Sequence, residues 1–236
     1  PRYMPGSDLS KGQTQYRITE SLSTSQYLAL NGVSQAVTPD TPAAFANVKK
    51  TSLPVNKVWG SAQARPSSIT VALYRTTDIG EVGNPLPENR VENKTLVLSA
   101  GYEWKRSFTD LPLYDEQSRL YYYYAMEETI DGDPVAESGY RAYHYNNPAE
   151  GIGNSGTTIV NVGYLDITVT KNWRDNNNLY GTRPDDHLAL TLYRKNAANV
   201  EQVITTPART PWVIKGSVWQ CTYIGLPESD EMGALY

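Results

Sequence analysis

The chain has 236 residues, 39 % of them hydrophobic and 19 % charged, with 25 acidic against 21 basic residues and a net charge of −4. The basic residues are scattered along the chain rather than clustered, so nucleic acid is not an expected partner, and no apolar run reaches the ~20 residues of a spanning helix, so no membrane insertion is expected in this segment. A single cysteine, Cys221, excludes an internal disulfide, and between Gln220 and Thr222 it reads as a small core residue on a strand rather than a nucleophile.

Eighteen Tyr against two Phe, with 15 Pro and 17 Gly, fit many short strands separated by turns, and helix signals are nearly absent. The expected class is all-β. In chain order, Asn47-Val-Lys-Lys-Thr-Ser-Leu-Pro-Val-Asn-Lys57-Val-Trp59 comes first, and that pattern returns as Asn161-Val-Gly-Tyr-Leu-Asp-Ile-Thr-Val-Thr-Lys171-Asn-Trp173. Arg65-Pro66 and Leu73-Tyr74-Arg75 recur as Arg183-Pro184 and Leu192-Tyr193-Arg194, and Trp104 with Leu111-Pro112 recurs as Trp219 with Leu226-Pro227. A repeat of this length suits one sandwich domain, not a solenoid unit.

Within the complete copy, strands are predicted near 53–59, 69–75, 94–99, 103–109, 120–128, 139–146 and 157–162, enough for a two-sheet sandwich. Tyr16-Arg-Ile-Thr-Glu20 parallels Tyr123-Tyr-Ala-Met-Glu127, so residues 1–52 read as the C-terminal part of one repeat. Residues 53–164 read as a complete domain and 165–236 as the N-terminal part of a third. No leader opens the chain, and repeats broken at both ends mark it as a segment expected to lie within a longer protein. Partial repeats leave open sheet edges. Head-to-tail association, with residues 165–236 of one chain supplying early strands and residues 1–50 of another the late ones, is therefore expected to be feasible.

Alternation places Val55, Lys57 and Trp59 on one strand face, Tyr123, Ala125 and Glu127 on another, and Ile159 with Asn161 on a third. Three polar groups thus point toward a core, where burial lowers the pKa of a lysine and raises that of a glutamate. A neutral amine beside a carboxamide, with a protonated carboxyl to shuttle protons, can form an amide and release ammonia. Fixing the groups in place supplies effective molarities of about 10⁵ M or more. Glu128 adjoins Glu127, but Glu127 shares parity with Tyr123 and Ala125. Asn146 and Asn147 compete with Asn161, which the repeat carries in one frame with Lys57.

Pro54-Val-Asn-Lys-Val-Trp59, Arg65-Pro-Ser-Ser-Ile-Thr-Val-Ala-Leu-Tyr74, Trp104 with Phe108, Leu111-Pro-Leu-Tyr-Asp115 and Tyr123-Tyr-Ala-Met-Glu127 together resemble the Cna B-type domain. The resemblance implies tandem inverse-immunoglobulin-like sandwiches that form stalks of Gram-positive surface adhesins or shafts of pili. It further implies an intramolecular isopeptide bond between Lys57 and Asn161, promoted by Glu127, with Lys171 at one end and Glu20 and Asn47 at the other as equivalents in the partial repeats. Such a protein is extracellular and anchored to the cell wall, has neighbouring repeats as partners, and needs no cofactor or metal. Its one covalent step is single-turnover maturation, so it is not an enzyme in the usual sense.

A structural stalk is the leading expectation, and a module gripping a host protein or glycan is the alternative. Asp175-Asn-Asn-Asn178 lacks the full ligand series of a calcium loop and reads as a polar turn. Tyr121 to Tyr124 reads as two rings inward and two outward. His144 and His187 stand alone, with no recognisable triad.

Overall fold

Strand alternation and turn chemistry account for almost all of the regular structure. The computed structural model describes residues 16–22, 26–37, 42–62, 64–147, 156–184 and 188–236; His187 lies outside them. Among the described residues the strands are β1 (Tyr16–Thr19), β2 (Tyr27–Ala29), β3 (Ser34–Val37), β4 (Asn47–Gly60), β5 (Ser68–Thr76), β6 (Arg90–Ser99), β7 (Lys105–Pro112) and β8 (Tyr122–Ile130). They continue with β9 (Asp133–Pro134), β10 (Tyr140–Asn147), β11 (Gly156–Asn172), β12 (Tyr193–Lys195), β13 (Glu201–Val203), β14 (Val213–Lys215) and β15 (Val218–Pro227). No described helix is long and apolar enough to cross a membrane.

Strands β4 to β11 build a two-sheet sandwich. One sheet runs β6-β5-β8-β9, and the other places β7 beside β4, β4 beside β11 and β11 beside β10. All these pairs are antiparallel except β4 with β11, the first and last strands, which run parallel side by side. Val55 of β4, Val71 and Leu73 of β5, Phe108 of β7, Ala125 of β8 and Ile159 of β11 meet between the sheets and are buried. Each fully buried aliphatic side chain contributes about 1.5–3 kcal/mol, so the inward stripes fix the register: a one-residue slip would turn every one of them to water.

The tyrosine run departs from the simple two-in, two-out expectation. Tyr123 faces the core, but outward-facing Tyr124 is buried as well, stacked on Tyr74 with ring centroids 5.4 Å apart. The segment after β5 folds over this outer face, where Val82 packs and the Asn84 carbonyl accepts the Tyr124 hydroxyl at 2.6 Å. A second, smaller apolar cluster results, and it owes nothing to the sandwich interior.

Two strands are far longer than the sequence suggests, for one reason. β4 pairs with β2 over Asn47–Lys49, then with β7, then with β11. β11 pairs with β10 and β4 in its first half and with β15 in its second. Each therefore leaves one set of partners and enters the next without a break. Both carry a register shift at the same place in the repeat, between Thr51 and Leu53 in β4 and between Leu165 and Ile167 in β11. Such a bulge increases local twist and re-aims the strand.

The second crossing is also gripped from the side. The Glu228 amide donates to the Gly163 carbonyl at 3.0 Å and the Ser229 hydroxyl to the Gly60 carbonyl at 2.9 Å. Ser61 donates to the Glu228 carboxylate, and the Tyr145 hydroxyl to the Glu231 carbonyl at 2.9 Å. A Cβ on Gly60 would run into the Ser229 hydroxyl and lie 2.8 Å from the Gly233 Cα. Only glycine admits this approach.

Candidate functional site

The register of β4 and β11 sets the site. Lys57 lies beside Ile159 and Trp59 beside Asn161 on neighbouring parallel strands, with all four side chains toward the other sheet. That sheet supplies Glu127 from β8. Lys57 is 5 % exposed, Glu127 8 % and Asn161 0 %, so the structure brings the three predicted polar residues into one enclosed region.

A bulge decides between the two adjacent acids. β5 and β8 pair Thr70 with Thr129 but Val71 with Glu127, which leaves Glu128 as the extra residue. Glu128 turns outward and meets Arg90 in a two-point ion pair at 2.9 and 3.2 Å. Glu127 turns inward. The Asn161 amide Nδ2 donates to Glu127 Oε1 at 3.0 Å. The rival asparagine, Asn146, is occupied elsewhere, its Oδ1 accepting the Thr157 hydroxyl at 2.7 Å, and Asn147 is exposed.

Burial pushes the Lys57 ammonium down and the Glu127 carboxyl up, each shift being partly offset by the opposite charge of the other group. Lys57 Nζ sits 4.0 Å from the Trp59 ring centroid and donates to the Val58 carbonyl at 3.0 Å. Trp59 in turn makes an edge contact with Trp104 at 5.1 Å and with Tyr140 at 5.3 Å, a wall that keeps water from the amine. Glu127 Oε2 and Asn161 Oδ1 have no hydrogen-bond partner among the described residues. Leaving a buried polar atom unsatisfied costs about 1–3 kcal/mol, and both atoms lie beside the Asn161–Glu127 contact.

The partial repeats hold halves of this arrangement. The Asn47 amide donates to Glu20 Oε1 at 2.6 Å, the same contact made by Asn161 and Glu127, and Glu20 Oε2 is likewise unpartnered among the described residues. Lys171 sits 4.7 Å from the Trp173 ring centroid, as Lys57 does over Trp59, and Trp173 meets Trp219 edge-on at 5.3 Å. These halves are not brought together. Asn47 lies ten residues before the Lys57–Ile159 pairing on β4 and Lys171 twelve after it on β11, which at about 3.3 Å per residue separates them by on the order of 70 Å.

His144 is not solitary. Its Nε2 accepts the Glu127 backbone N–H at 3.0 Å, and burial with the nearby Lys57 charge lowers its pKa to about 4. Sequence reading passed it over, although its parity on β10, even-numbered like the inward Ala142, was an available signal. Cys221 is buried on β15. The Asp175 carboxylate at the head of the Asn-rich turn is taken by Arg183, with Nε to Oδ2 at 2.6 Å.

The architecture is thus that of a β-sandwich module in which a lysine, an acid and an asparagine meet in the core, followed by a second copy in part. The family model for the Cna protein B-type domain matches residues 53–161 and again 167–236, and the chain belongs to that family. A collagen adhesin of Staphylococcus aureus is 29 % identical over 188 residues, covering 77 % of this chain and 12 % of the relative, so the chain spans about one-eighth of that protein's length. Among solved structures, a single B repeat unit (B1) of the collagen-binding surface protein Cna of Staphylococcus aureus has 17 % identity and a TM-score of 0.33, covering 62 % of this chain and 97 % of that one. The two-unit B1B2 structure of the same protein has 18 % identity and a TM-score of 0.35, covering 89 % and 60 %.

Proposed function

We propose that the chain is a shaft segment of an extracellular, wall-anchored adhesin or pilus protein, and that its complete sandwich closes itself with an amide bond between Lys57 and Asn161. The carrying observation is the enclosed contact of Asn161 with Glu127 beside a lysine whose amine burial drives toward neutrality. Neutral Lys57 Nζ attacks Asn161 Cγ, forming the Nζ–Cγ bond. The Cγ–Nδ2 bond breaks, and Nδ2 leaves as ammonia after taking the proton that Nζ gives up. Glu127, at 3.0 Å from Nδ2, is placed to relay that proton and emerges unchanged.

The domain division 1–52, 53–164 and 165–236 belongs to this reading. Support comes from the two family matches and from the bulge repeated at equivalent points of β4 and β11. The crosslink would join the first and last strands of the sandwich directly. Tension entering along β4 would leave along β11 through that bond, and the sheets between would be spared. Glu20–Asn47 and Lys171 are read as parts of equivalent sites, their missing members coming from flanking repeats or, head to tail, from a second chain.

Intact-mass spectrometry tests the proposal. The full chain should weigh one ammonia less than its sequence, and digestion should yield a branched peptide joining the segments around Lys57 and Asn161. An unbranched digest at full mass would end it.

A further inference from the structure

Among the described residues, no strand covers one edge of β8 before Thr129. β5 pairs with one side of it, and β9 reaches only Thr129 and Ile130 on the other. Two of the amides on that edge are nevertheless satisfied, by side chains reaching over from the opposite sheet. Ala125 N–H donates to Thr157 Oγ1 at 3.1 Å and Glu127 N–H to His144 Nε2 at 3.0 Å. His144, Ile159 and Lys57 lie in one row across β10, β11 and β4, because His144 pairs with Ile159 and Ile159 with Lys57. The imidazole and the amine therefore flank Ile159 on the same face, and the imidazole reaches the backbone of the acid.

That contact falls where the chain has a choice. Glu127 is the residue at which the β5–β8 register shifts, and Glu128 is the one left over. Whichever acid has its N–H anchored toward the opposite sheet has its orientation fixed, and the neighbouring side chain must then face outward. In the partial repeat Ser21 follows Glu20, so no second acid competes there. Ala29 pairs with Asn47 as Ala142 pairs with Asn161, and two residues further on stands Asn31 in place of His144. There the Glu20 N–H goes to the Val33 carbonyl at 2.8 Å instead.

We propose that His144 is a positioning residue for the crosslink, its ring nitrogen holding the Glu127 amide so that the Glu127 carboxyl, not that of Glu128, meets Asn161. Its role presupposes the crosslinking chemistry proposed above. Acceptance at Nε2 requires the neutral ring with its proton on Nδ1, and a pKa lowered to about 4 keeps it neutral at physiological pH.

The test follows the time course of ammonia loss by intact mass, in the full chain purified quickly after a short induction. H144L keeps bulk but removes the acceptor, and should slow the loss roughly tenfold or more, as misplacing a catalytic group does. H144Q puts an amide oxygen where Nε2 stood and should restore a rate close to the natural one. Equal rates for H144L and the natural chain would overturn the proposal, as would H144Q being as slow as H144L. A second measurement does not depend on the crosslink. In the uncrosslinkable K57M chain, a scalar coupling across the N–H···N hydrogen bond from Glu127 to His144 should be visible by NMR, and its absence would overturn the positioning contact itself. Should the natural chain lose no ammonia while that coupling is present, the crosslinking chemistry falls and His144 with it, leaving a purely structural hydrogen bond.

Discussion

Glu20 with Asn47 and Glu127 with Asn161 make the same carboxamide-to-carboxylate contact, at 2.6 and 3.0 Å, in very different surroundings. Asn47 is exposed and Glu20 half-buried, with no described strand of the Lys57 kind beside them, whereas Asn161 is wholly enclosed between β4 and β10. The difference separates two things that a motif confuses. The pair forms in both places with only its own strands present. The shifts that the proposed crosslink requires belong to the complete sandwich alone, since burial there drives Lys57 and Glu127 toward their neutral forms.

Substitutions at the two pairs and around them test that contrast. The largest effect is expected from E127A, which should abolish ammonia loss. By analogy with disulfide loop closure, it should also lower stability by roughly 4–5 kcal/mol, measured by denaturant titration beside the natural chain. E20A should leave ammonia loss unaltered, because Lys171, the lysine of the equivalent site, lies on the order of 70 Å along the strands from that pair.

The pH dependence comes next. Lys57 must be deprotonated and Glu127 protonated, so the reactive pair holds a single labile proton. With the lysine shifted down and the glutamate up, the two ranges approach each other. The rate of ammonia loss should be bell-shaped, falling in acid as Lys57 is protonated and in base as Glu127 ionises. Monitoring mass against time in a buffer series would reveal a monotonic profile if the pair were not coupled this way.

A smaller effect is expected at the second crossing. G60A would drive a methyl group into Ser229 and Gly233 and should cost about 1–3 kcal/mol through displaced backbone. Small-angle scattering should then report a broader distribution of shapes, with crosslinking intact. Smallest of all is E128A, which removes an ion pair with Arg90 at the surface, should cost under about 1 kcal/mol and should leave ammonia loss unchanged.

Much of this was legible in the sequence because period-two alternation is a strong signal where one strand face is buried. Val55, Lys57 and Trp59 could be assigned to the core from parity alone, and the repeat located Asn161 relative to Lys57. Parity also favoured Glu127 over Glu128, and the structure supplies the physical reason in the bulge, which alternation cannot reveal. The burial of Tyr124 escaped because it depends on a loop folding back over the outer face. His144 escaped because its partner is a backbone amide from the opposite sheet, a contact with no sequence spacing to betray it. The long reach of β4 and β11 was hidden for a related reason. Residues 47–52 and 163–166 look like connections when strands are predicted one domain at a time, yet β4 and β11 run through them, paired with β2, β7 and β15.

That continuity has a consequence for proteolysis. Proteases need a stretch of backbone they can pull into extended, unpaired form, and in multidomain proteins the segments between domains are the usual place to find it. Here the main chain passes from one sandwich to the next as the middle of a hydrogen-bonded strand. At the second crossing the loop around Ser229 shields its flank. Within the described β4 and β11, the backbone on either side of each bulge is paired and offers no such stretch.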